Sequence, residues 1–236
     1  MLQAMHTTAR PRPRATQARG AATRRRLIET ATLAFAELGY EGASTRLLAE
    51  RAGVHLPAIP YHFGSKEGLY RAVVEDIAAF IAAQMAPVSK RVAATLARRQ
   101  VPRRDLVGLL VELLDVFVAM VFESQRRHGK AQTEARKLFI ARAEIENVPA
   151  LESLYDTMRK CVGEPCAGLI GRLTGKPPQD QATLLRMAAL LGQVTVFCNK
   201  PALRTLGWRD VTKARLRAVQ TLAREQTRAL YRGDGR

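Results

Sequence analysis

The amino-acid sequence predicts an all-α fold. Apolar residues recur at helical spacing along most of the 236-residue chain, and no stretch alternates apolar and polar residues as a half-buried strand does. Glycine and proline residues separate these periodic segments at intervals typical of helices. With 47% hydrophobic and 25% charged residues, the composition is that of a globular protein with one or two domains.

The first amphipathic helix is predicted over residues 23–38. Leu27, Ala31 and Ala34 follow one another at i, i+4 and i+7, which places them on one face of a helix. Gly39 comes directly after the last apolar position and can adopt the positive φ that ends a helix. The helix therefore buries one face and ends at this glycine.

Two short helices are predicted next, over 44–52 and 55–63. Ser44 or Thr45 can cap the first of them, and Gly53 breaks the chain between the two. Two short helices joined by a tight turn have the dimensions of a helix-turn-helix, in which the second helix enters the major groove of DNA. The third helix of this head would be the one over 23–38.

A long helix is predicted to begin after Gly64 and Ser65, and the rest of the chain continues as helices. The boundary between the head and the C-terminal bundle falls near 67–85, so this helix would link the two. Pro87 and Pro102 are expected to interrupt the chain. The bundle is expected to hold about nine helices, with segments over 88–99, 104–127, 133–146, 149–173, 179–199 and 210–232.

The chain is strongly basic, with 38 Lys and Arg against 21 Asp and Glu and a net charge of +17. A basic surplus favours contact with a polyanion such as DNA. Residues 1–26 hold seven arginines and no acid, and Pro11 and Pro13 lie among them, so 1–20 is predicted to be a disordered arm. Most of the remaining surplus lies in 81–236, where solvated helix faces are the favoured explanation.

Several classes of protein are disfavoured by the sequence. No apolar run reaches the roughly 18 residues that a membrane span needs, because Glu112 and Asp115 interrupt 106–122. The basic N-terminus is not followed by the apolar stretch of a signal peptide. Three cysteines are too few and odd in number for a disulfide framework, which favours a cytoplasmic location.

No enzyme, metal or cofactor chemistry is predicted. The sequence contains no HExxH, GxGxxG, P-loop or GxSxG motif, and its four histidines are scattered along the chain. Cys161 and Cys166 are five residues apart, about 140° around a helix, so they cannot form a disulfide without unfolding it. A redox-sensing thiol stays open as an alternative.

A dense series of matching elements spans residues 23–70. It consists of Thr23-Arg24, Leu27-Ile28, Ala31, Phe35, Leu38-Gly39-Tyr40, Ser44-Thr45-Arg46, Leu48-Ala49, Ala52-Gly53-Val54, Tyr61-His62-Phe63, Lys66-Glu67 and Leu69. This pattern resembles the DNA-binding domain of the TetR family of bacterial transcriptional regulators. Further elements are similar to the CecR-like branch of that family: 58–70, Ile140-Ala141-Arg142-Ala143-Glu144, Leu191-Gly192-Gln193, Phe197 and Leu206-Gly207-Trp208.

The resemblance implies an Ω-shaped homodimer that reads a pseudo-palindromic operator in double-stranded DNA. After the arm over 1–20, the DNA-binding domain would cover 21–80, and the effector-binding and dimerisation domain would cover 81–236. The resemblance also implies a transcriptional regulator, most simply a repressor that a small-molecule effector releases from DNA. The shared helix that begins at Lys66 would couple the two events.

The expected DNA contacts lie in the two short helices and at the start of the long one. The resemblance implies that Thr45, Arg46, Tyr61, His62 and Lys66 contact phosphates or bases. The residues themselves add Leu56, Pro57 and Ala58 for packing on thymine methyl groups, His55 for a base or phosphate, and Ser44 beside them.

Three features of this face affect how it is expected to read DNA. Lys66 lies at a helix N-terminus, where the helix dipole disfavours a cation, so a phosphate partner would explain it. The segment over 55–63 has no Arg or Lys, so Arg46 or the arm would have to supply any arginine–guanine contact. Pro60 removes a backbone donor and is expected to distort the helix after one turn.

The bundle is expected to hold the effector pocket and the dimer interface. The candidate effector contacts are Phe117, Val121, Phe139, Arg142, Glu144, Tyr155, Gln193 and Phe197. The candidate dimer contacts, on the last two long helices, are Leu184, Leu191, Val194, Leu216, Val219 and Leu222. Ordinary core packing is the favoured explanation for each apolar effector candidate taken singly, and the polar candidates Arg142, Glu144 and Gln193 could equally face solvent.

Two other functions remain as alternatives. A constitutive or activating regulator would have a fully packed bundle without a ligand pocket. A non-specific architectural protein would use its positive charge to bind any duplex, with a steep salt dependence and no preferred sequence.

Overall fold

The computed structural model describes residues 14–123, 130–146, 148–198, 200–209 and 211–232. These residues contain helices and no strand, which confirms the predicted all-α class. The α-helices are α1 (Arg14–Gly42), α2 (Thr45–Arg51), α3 (Ala58–Phe63), α4 (Lys66–Leu96), α5 (Arg103–Glu123), α6 (Lys130–Ile145), α7 (Glu152–Met158), α8 (Glu164–Thr174), α9 (Gln181–Thr195), α10 (Lys200–Thr205) and α11 (Lys213–Leu230).

Helix α1 begins earlier than the sequence suggested. It starts at Arg14, so residues 14–20 of the expected disordered arm are helical, while residues 1–13 lie outside the described part. Alanine, glutamine and arginine in this segment favour a helix, which extends from the packed part of α1. Gly39 interrupts α1 with a φ of 77°, as its position predicts.

Helices α2 and α3 form the predicted helix-turn-helix. The Ser44 hydroxyl caps α2 by accepting from the Leu47 amide at 3.2 Å, and Gly53 turns the chain with a φ of 61°. Helix α3 begins at Ala58 rather than at 55, which puts Pro60 in its first turn. The expected distortion does not follow, because the amide that proline lacks there would have no partner within the helix.

Helix α4 is the long central helix of the chain. It begins at the Ser65 cap and continues through Pro87, so the expected break at this proline is wrong. Met85, Val88 and Val92 are buried on both sides of the proline, and this packing holds the helix together.

By length and a mean hydropathy of 1.3, α4 could span a membrane, and 44% of that window is buried inside the protein. It is the one helix of the described part that meets this test. Eleven of its residues are buried against neighbouring helices, as in the core helix of a globular protein.

The bundle surrounds the second half of α4. Helices α5, α7 and α8 pack against α4, and α11 packs along α5, where Arg224 forms an ion pair with Asp115 at 2.8 Å. Helix α6 leaves the bundle and packs along α1 of the head. The head and the bundle are therefore joined in two ways, by the continuous helix α4 and by the contact between α1 and α6.

Candidate nucleic-acid interface

The outer face of α2, α3 and the turn between them carries the predicted DNA contacts. The exposed residues among them are Ser44, Arg46, His55, Leu56, Pro57 and Tyr61, and the half-buried ones are Thr45, Ala58, His62 and Lys66. Tyr61 is the most prominent large side chain of this face, with 65% of its surface exposed. None of the ten residues is buried, so each has surface that DNA can reach.

The opposite face of α3 attaches it to the head. Ile59 is fully buried and Phe63 packs against the core, so α3 has one inward and one outward side. Gly68 fixes the spacing between α3 and α4, because a Cβ at this position would overlap the carbonyl oxygen of Phe63. No sequence pattern predicts this close approach.

Lys66 has partners within the protein. Its ammonium group lies 4.4 Å from the ring centroid of Tyr40 and donates to the carbonyl oxygen of Glu41 at 3.5 Å. These contacts explain a cation at the start of α4 without a phosphate, so the argument made for Lys66 from helix energetics is wrong. The side chain stays half-exposed and can still contact DNA.

Helix α1 supplies a basic residue that the analysis of α3 missed. The guanidinium carbon of Arg24 lies 5.3 Å from the ring centroid of Phe63, at the end of α3, and its side chain is exposed. Gly20, one turn earlier, lies next to His62. The first turns of α1 therefore flank the helix that itself has no Arg or Lys, a proximity that only the packing of α1 on α3 reveals.

An aromatic cluster joins the head to the bundle. The ring of Tyr70 on α4 lies 5.0 Å from Phe35 on α1, 5.3 Å from Tyr40 and 4.9 Å from Phe139 on α6. Burial, helped by the negative charge of Glu146, raises the pKa of Tyr70 well above its usual value. Its phenol is therefore neutral at physiological pH.

Two predicted effector contacts belong to this junction. Phe139 is buried in the aromatic cluster, which leaves it no surface for a ligand. Arg142 and Glu146 pack against the turn at Gly39, where a Cβ would lie 3.0 Å from the Arg142 Nη1 atom. Both assignments are corrected, because α6 turns this face toward α1 and not toward the interior of the bundle.

The remaining effector candidates are spread over four places. Glu144 and Tyr155 line a cavity of about 240 Å3 with Val148, Pro149, Leu151 and Glu152. Phe117 is buried and Val121 half-buried on α5, whereas the Phe197 ring stacks on Trp208 at 6.2 Å. The buried Nε2 atom of Gln193 has no hydrogen-bond partner in the described part of the chain.

Half of the predicted dimer contacts are core residues. Val194, Leu216 and Val219 are buried within the single chain, because α9 and α11 turn these positions toward the bundle. They cannot be the surface that meets a partner, and this part of the prediction is wrong. Leu184 and Leu222 are exposed and Leu191 is half-exposed.

The exposed side of α9 forms a continuous stripe of apolar and small residues. Leu185 has 63% of its surface exposed, and the same side carries Leu184, Ala188, Ala189 and Gly192. Their spacing follows one face of a helix. Apolar periodicity does not single out Leu185, because buried and exposed apolar positions lie within the same two turns of α9.

The cysteines give little support to redox sensing. Cys161 and Cys166 are both free, and burial raises the pKa of Cys166 to about 12 and also raises that of Cys161. A raised pKa lowers the fraction of reactive thiolate. Among the described residues no group of three or more His, Cys, Asp or Glu side chains could hold a metal ion.

Both parts of the chain match known families. Residues 27–73 match the bacterial regulatory proteins of the tetR family, and residues 110–233 match the C-terminal domain of the HTH-type transcriptional dual regulator CecR. The CecR protein of Shigella flexneri is 27% identical over 179 residues, which cover 76% of this chain and 77% of that protein. The repressor AcnR of Corynebacterium glutamicum is 45% identical over 60 residues, 25% of this chain and 32% of AcnR.

Solved structures share the fold. A TetR-family transcriptional regulator from Mesorhizobium loti has a TM-score of 0.56 at 23% identity, covering 90% of this chain and 98% of that one. GusR of Salmonella enterica has a TM-score of 0.55 at 17% identity, with 89% and 95% covered. SmeT, solved as a complex with triclosan, has a TM-score of 0.54 at 18% identity, with 91% and 93% covered.

Proposed function

Because this chain belongs to the TetR family of bacterial regulatory proteins and has a CecR-type C-terminal domain, we propose that it represses transcription until an effector releases it from its operator. The chain is a DNA-binding transcriptional regulator and not an enzyme. It acts in the cytoplasm, as a homodimer, on a pseudo-palindromic operator. The observation that supports the proposal is the accessibility of the helix-turn-helix, where none of the predicted DNA contacts on α2, α3 and the turn between them is buried.

The side chains of this face can make different kinds of contact with DNA. Arg46 is exposed on α2 and is the one arginine of that face that could form bidentate hydrogen bonds with guanine. Tyr61 and Thr45 carry hydroxyl groups that can donate to phosphates. Leu56 and Pro57 present apolar surface to thymine methyl groups. Arg24 of α1 adds a cation beside the end of α3.

Selection of bound sequences from a random duplex pool, at physiological salt, tests the proposal. A pseudo-palindrome with half-sites about one helical turn apart is the expected result for a dimer that reads successive major grooves. An enriched pool without a motif would instead favour the architectural alternative, in which the positive charge binds any duplex.

Two arginines of α2 give a matched pair of variants. Arg51 is paired with Glu37 at 2.7 Å, whereas the ion pairs of the described part do not include Arg46. Arg46→Gln should weaken operator binding by about tenfold and lower the salt slope by about one. Arg51→Gln should leave both within about twofold. Equal effects of the two substitutions would remove Arg46 from the interface.

The dimer is proposed to form through the exposed stripe of α9, together with Leu222 of α11. An apolar stripe on the outside of a globular protein is typical of an association surface. The two heads of the dimer then meet the two half-sites of the operator.

The effector is proposed to bind in the bundle, at polar side chains that lack a hydrogen-bond partner or line a cavity. Gln193 supports this, because a buried amide nitrogen without a hydrogen-bond partner is costly unless a ligand or water satisfies it. Glu144 and Tyr155 offer polar groups at the cavity beside α7. By linkage, an effector that weakens DNA binding must itself bind more weakly to the DNA complex.

A thermal-shift screen of small molecules, followed by operator release, tests this part. A bound effector should raise the unfolding midpoint in proportion to the logarithm of its concentration. Gln193→Leu or Glu144→Gln should lower its affinity. If the variant with both substitutions still responds fully to the effector, the effector binds elsewhere. If no compound stabilises the protein, the constitutive alternative is favoured.

A further inference from the structure

A polar cleft of about 640 Å3 lies where the head meets the bundle. Its walls come from α1, α4 and α6, so it is formed by both parts of the chain. The lining residues are Ala21, Arg24, Arg25, Ile28, Glu29, Asp76, Gln132 and Arg136. None of them is among the effector contacts proposed above.

Arg136 is the central residue of this cleft. It is only 9% exposed, and its guanidinium carbon lies 4.8 Å from the ring centroid of Phe80. Its Nη2 atom donates to the Asp76 carboxylate at 2.8 Å. The Nε and Nη1 atoms are buried and have no hydrogen-bond partner in the described ranges.

These two nitrogens are unusual for a buried arginine. Together they carry three N–H donors, and buried donors in proteins are nearly always paired. A guanidinium is always charged, so it cannot reduce the cost of burial by losing a proton. Donors that the protein positions but does not satisfy indicate an acceptor that comes from outside the chain.

The charges around the cleft define the kind of acceptor. Arg24 and Arg25 are exposed at its edge, and the acids Glu29 and Asp76 are already paired with Arg25 and Arg136. Three arginines against two carboxylates leave the lining with a net positive charge. Arginine nitrogens bind carboxylate and phosphate oxygens with charge-assisted hydrogen bonds.

We propose that this cleft binds a small oxyanion ligand, carrying a carboxylate or a phosphate, at the unpartnered N–H donors of Arg136. The ligand would touch α1 and α6 at once and hold the head in one position against the bundle. Its effect on DNA binding rests on the proposed function, whereas the binding itself does not depend on it.

The test is titration of the full-length protein, without DNA, by inorganic phosphate and by citrate at constant ionic strength. The unfolding midpoint should rise with one of the two anions and not with sodium chloride, and the more effective anion assigns phosphate or carboxylate chemistry. If phosphate and citrate raise the unfolding midpoint no more than sodium chloride at the same ionic strength, the proposal is overturned.

Arg136→Gln and Arg91→Gln form the matched pair. Each removes one positive charge and one ion pair, but Arg91 is paired with Glu112 outside the cleft. Arg136→Gln should weaken anion binding at least tenfold, and Arg91→Gln should leave it within twofold. Equal affinities in the two variants would refute a site at Arg136.

Arg25→Gln is a second variant, because its exposed side chain can be replaced without disturbing the core, and it should weaken binding about threefold. In the wild-type protein, the NMR signal of the Arg136 Nε–H should shift on titration with the anion, and an unmoved signal would overturn the proposal. Release of operator DNA by the same anion is measured separately. Anion binding without release would refute only the link to DNA.

Discussion

The head and the bundle of this protein differ in how directly their sequence reveals their surfaces. In the head, every predicted DNA contact lies on the accessible side of α2, α3 or the start of α4. In the bundle, Val194, Leu216 and Val219 were expected at a dimer interface and are core residues. The same kind of reasoning therefore selected accessible residues in the head and, for these three positions, core residues in the bundle.

The reason is the length and burial of the helices. Helices α2 and α3 are seven and six residues long, so each has room for one buried face and one exposed face. Helix α9 carries apolar residues on two faces, one packed on the bundle and one exposed around Leu185. Periodicity identifies an apolar position, but it does not say which of two apolar faces meets the core.

The sharpest test of this difference is a pair of charged substitutions on α9. Val194→Asp puts a carboxylate into the core and should lower the free energy of unfolding by more than about 4 kcal/mol. Leu185→Asp should leave the circular dichroism of the folded chain intact but produce a monomer in light scattering. A folded, monomeric Val194→Asp protein would restore the original assignment of that residue.

The contact between the two regions can be weakened at Phe139. Phe139→Ala removes a ring buried between α1, α4 and α6 and should cost about 3–5 kcal/mol in the free energy of unfolding. Leu138 is the matched control, since it is the preceding residue on α6 and is 50% exposed. Leu138→Ala should change stability by about 0.5 kcal/mol or less, measured by urea denaturation. Similar losses in the free energy of unfolding for the two variants would mean that α6 does not anchor the head.

The rigidity of the head depends on the close approach at Gly68. Gly68→Ala should destabilise the protein by about 1–3 kcal/mol, because the new methyl group must push α3 away from α4, and operator affinity should fall with it. Gly108 on α5 has no atom near its Cβ position, so Gly108→Ala should stabilise the protein by about 0.5–1 kcal/mol. If both substitutions stabilise the protein, or both destabilise it, the proposed role of the close contact between α3 and α4 is contradicted.

The smallest effect is expected at alkaline pH. Burial raises the pKa of Tyr70 in the folded chain, so the unfolded chain loses this proton first as the pH rises above about 10. Stability should then fall by up to about 1.4 kcal/mol per pH unit, and Tyr70→Phe should remove that part of the slope. Thermal melts between pH 9 and pH 11 measure the difference.

Local physical chemistry let the sequence determine the fold class and the DNA-binding unit. The Ser44 and Ser65 caps, the glycines at 39 and 53, and the one-sided face of the first helix depend on neighbours a few residues away. Such features can be recognised in a sequence because a turn or a cap requires particular residue types.

The features that join distant segments depend on how the helices pack. Packing on both sides of Pro87 keeps α4 continuous, and the contact between α1 and α6 turns Phe139 and Arg142 toward the head. The same contact creates the cleft around Arg136, which has no sequence motif. The physical reason is that burial is a property of two surfaces, and a sequence shows only one of them at a time.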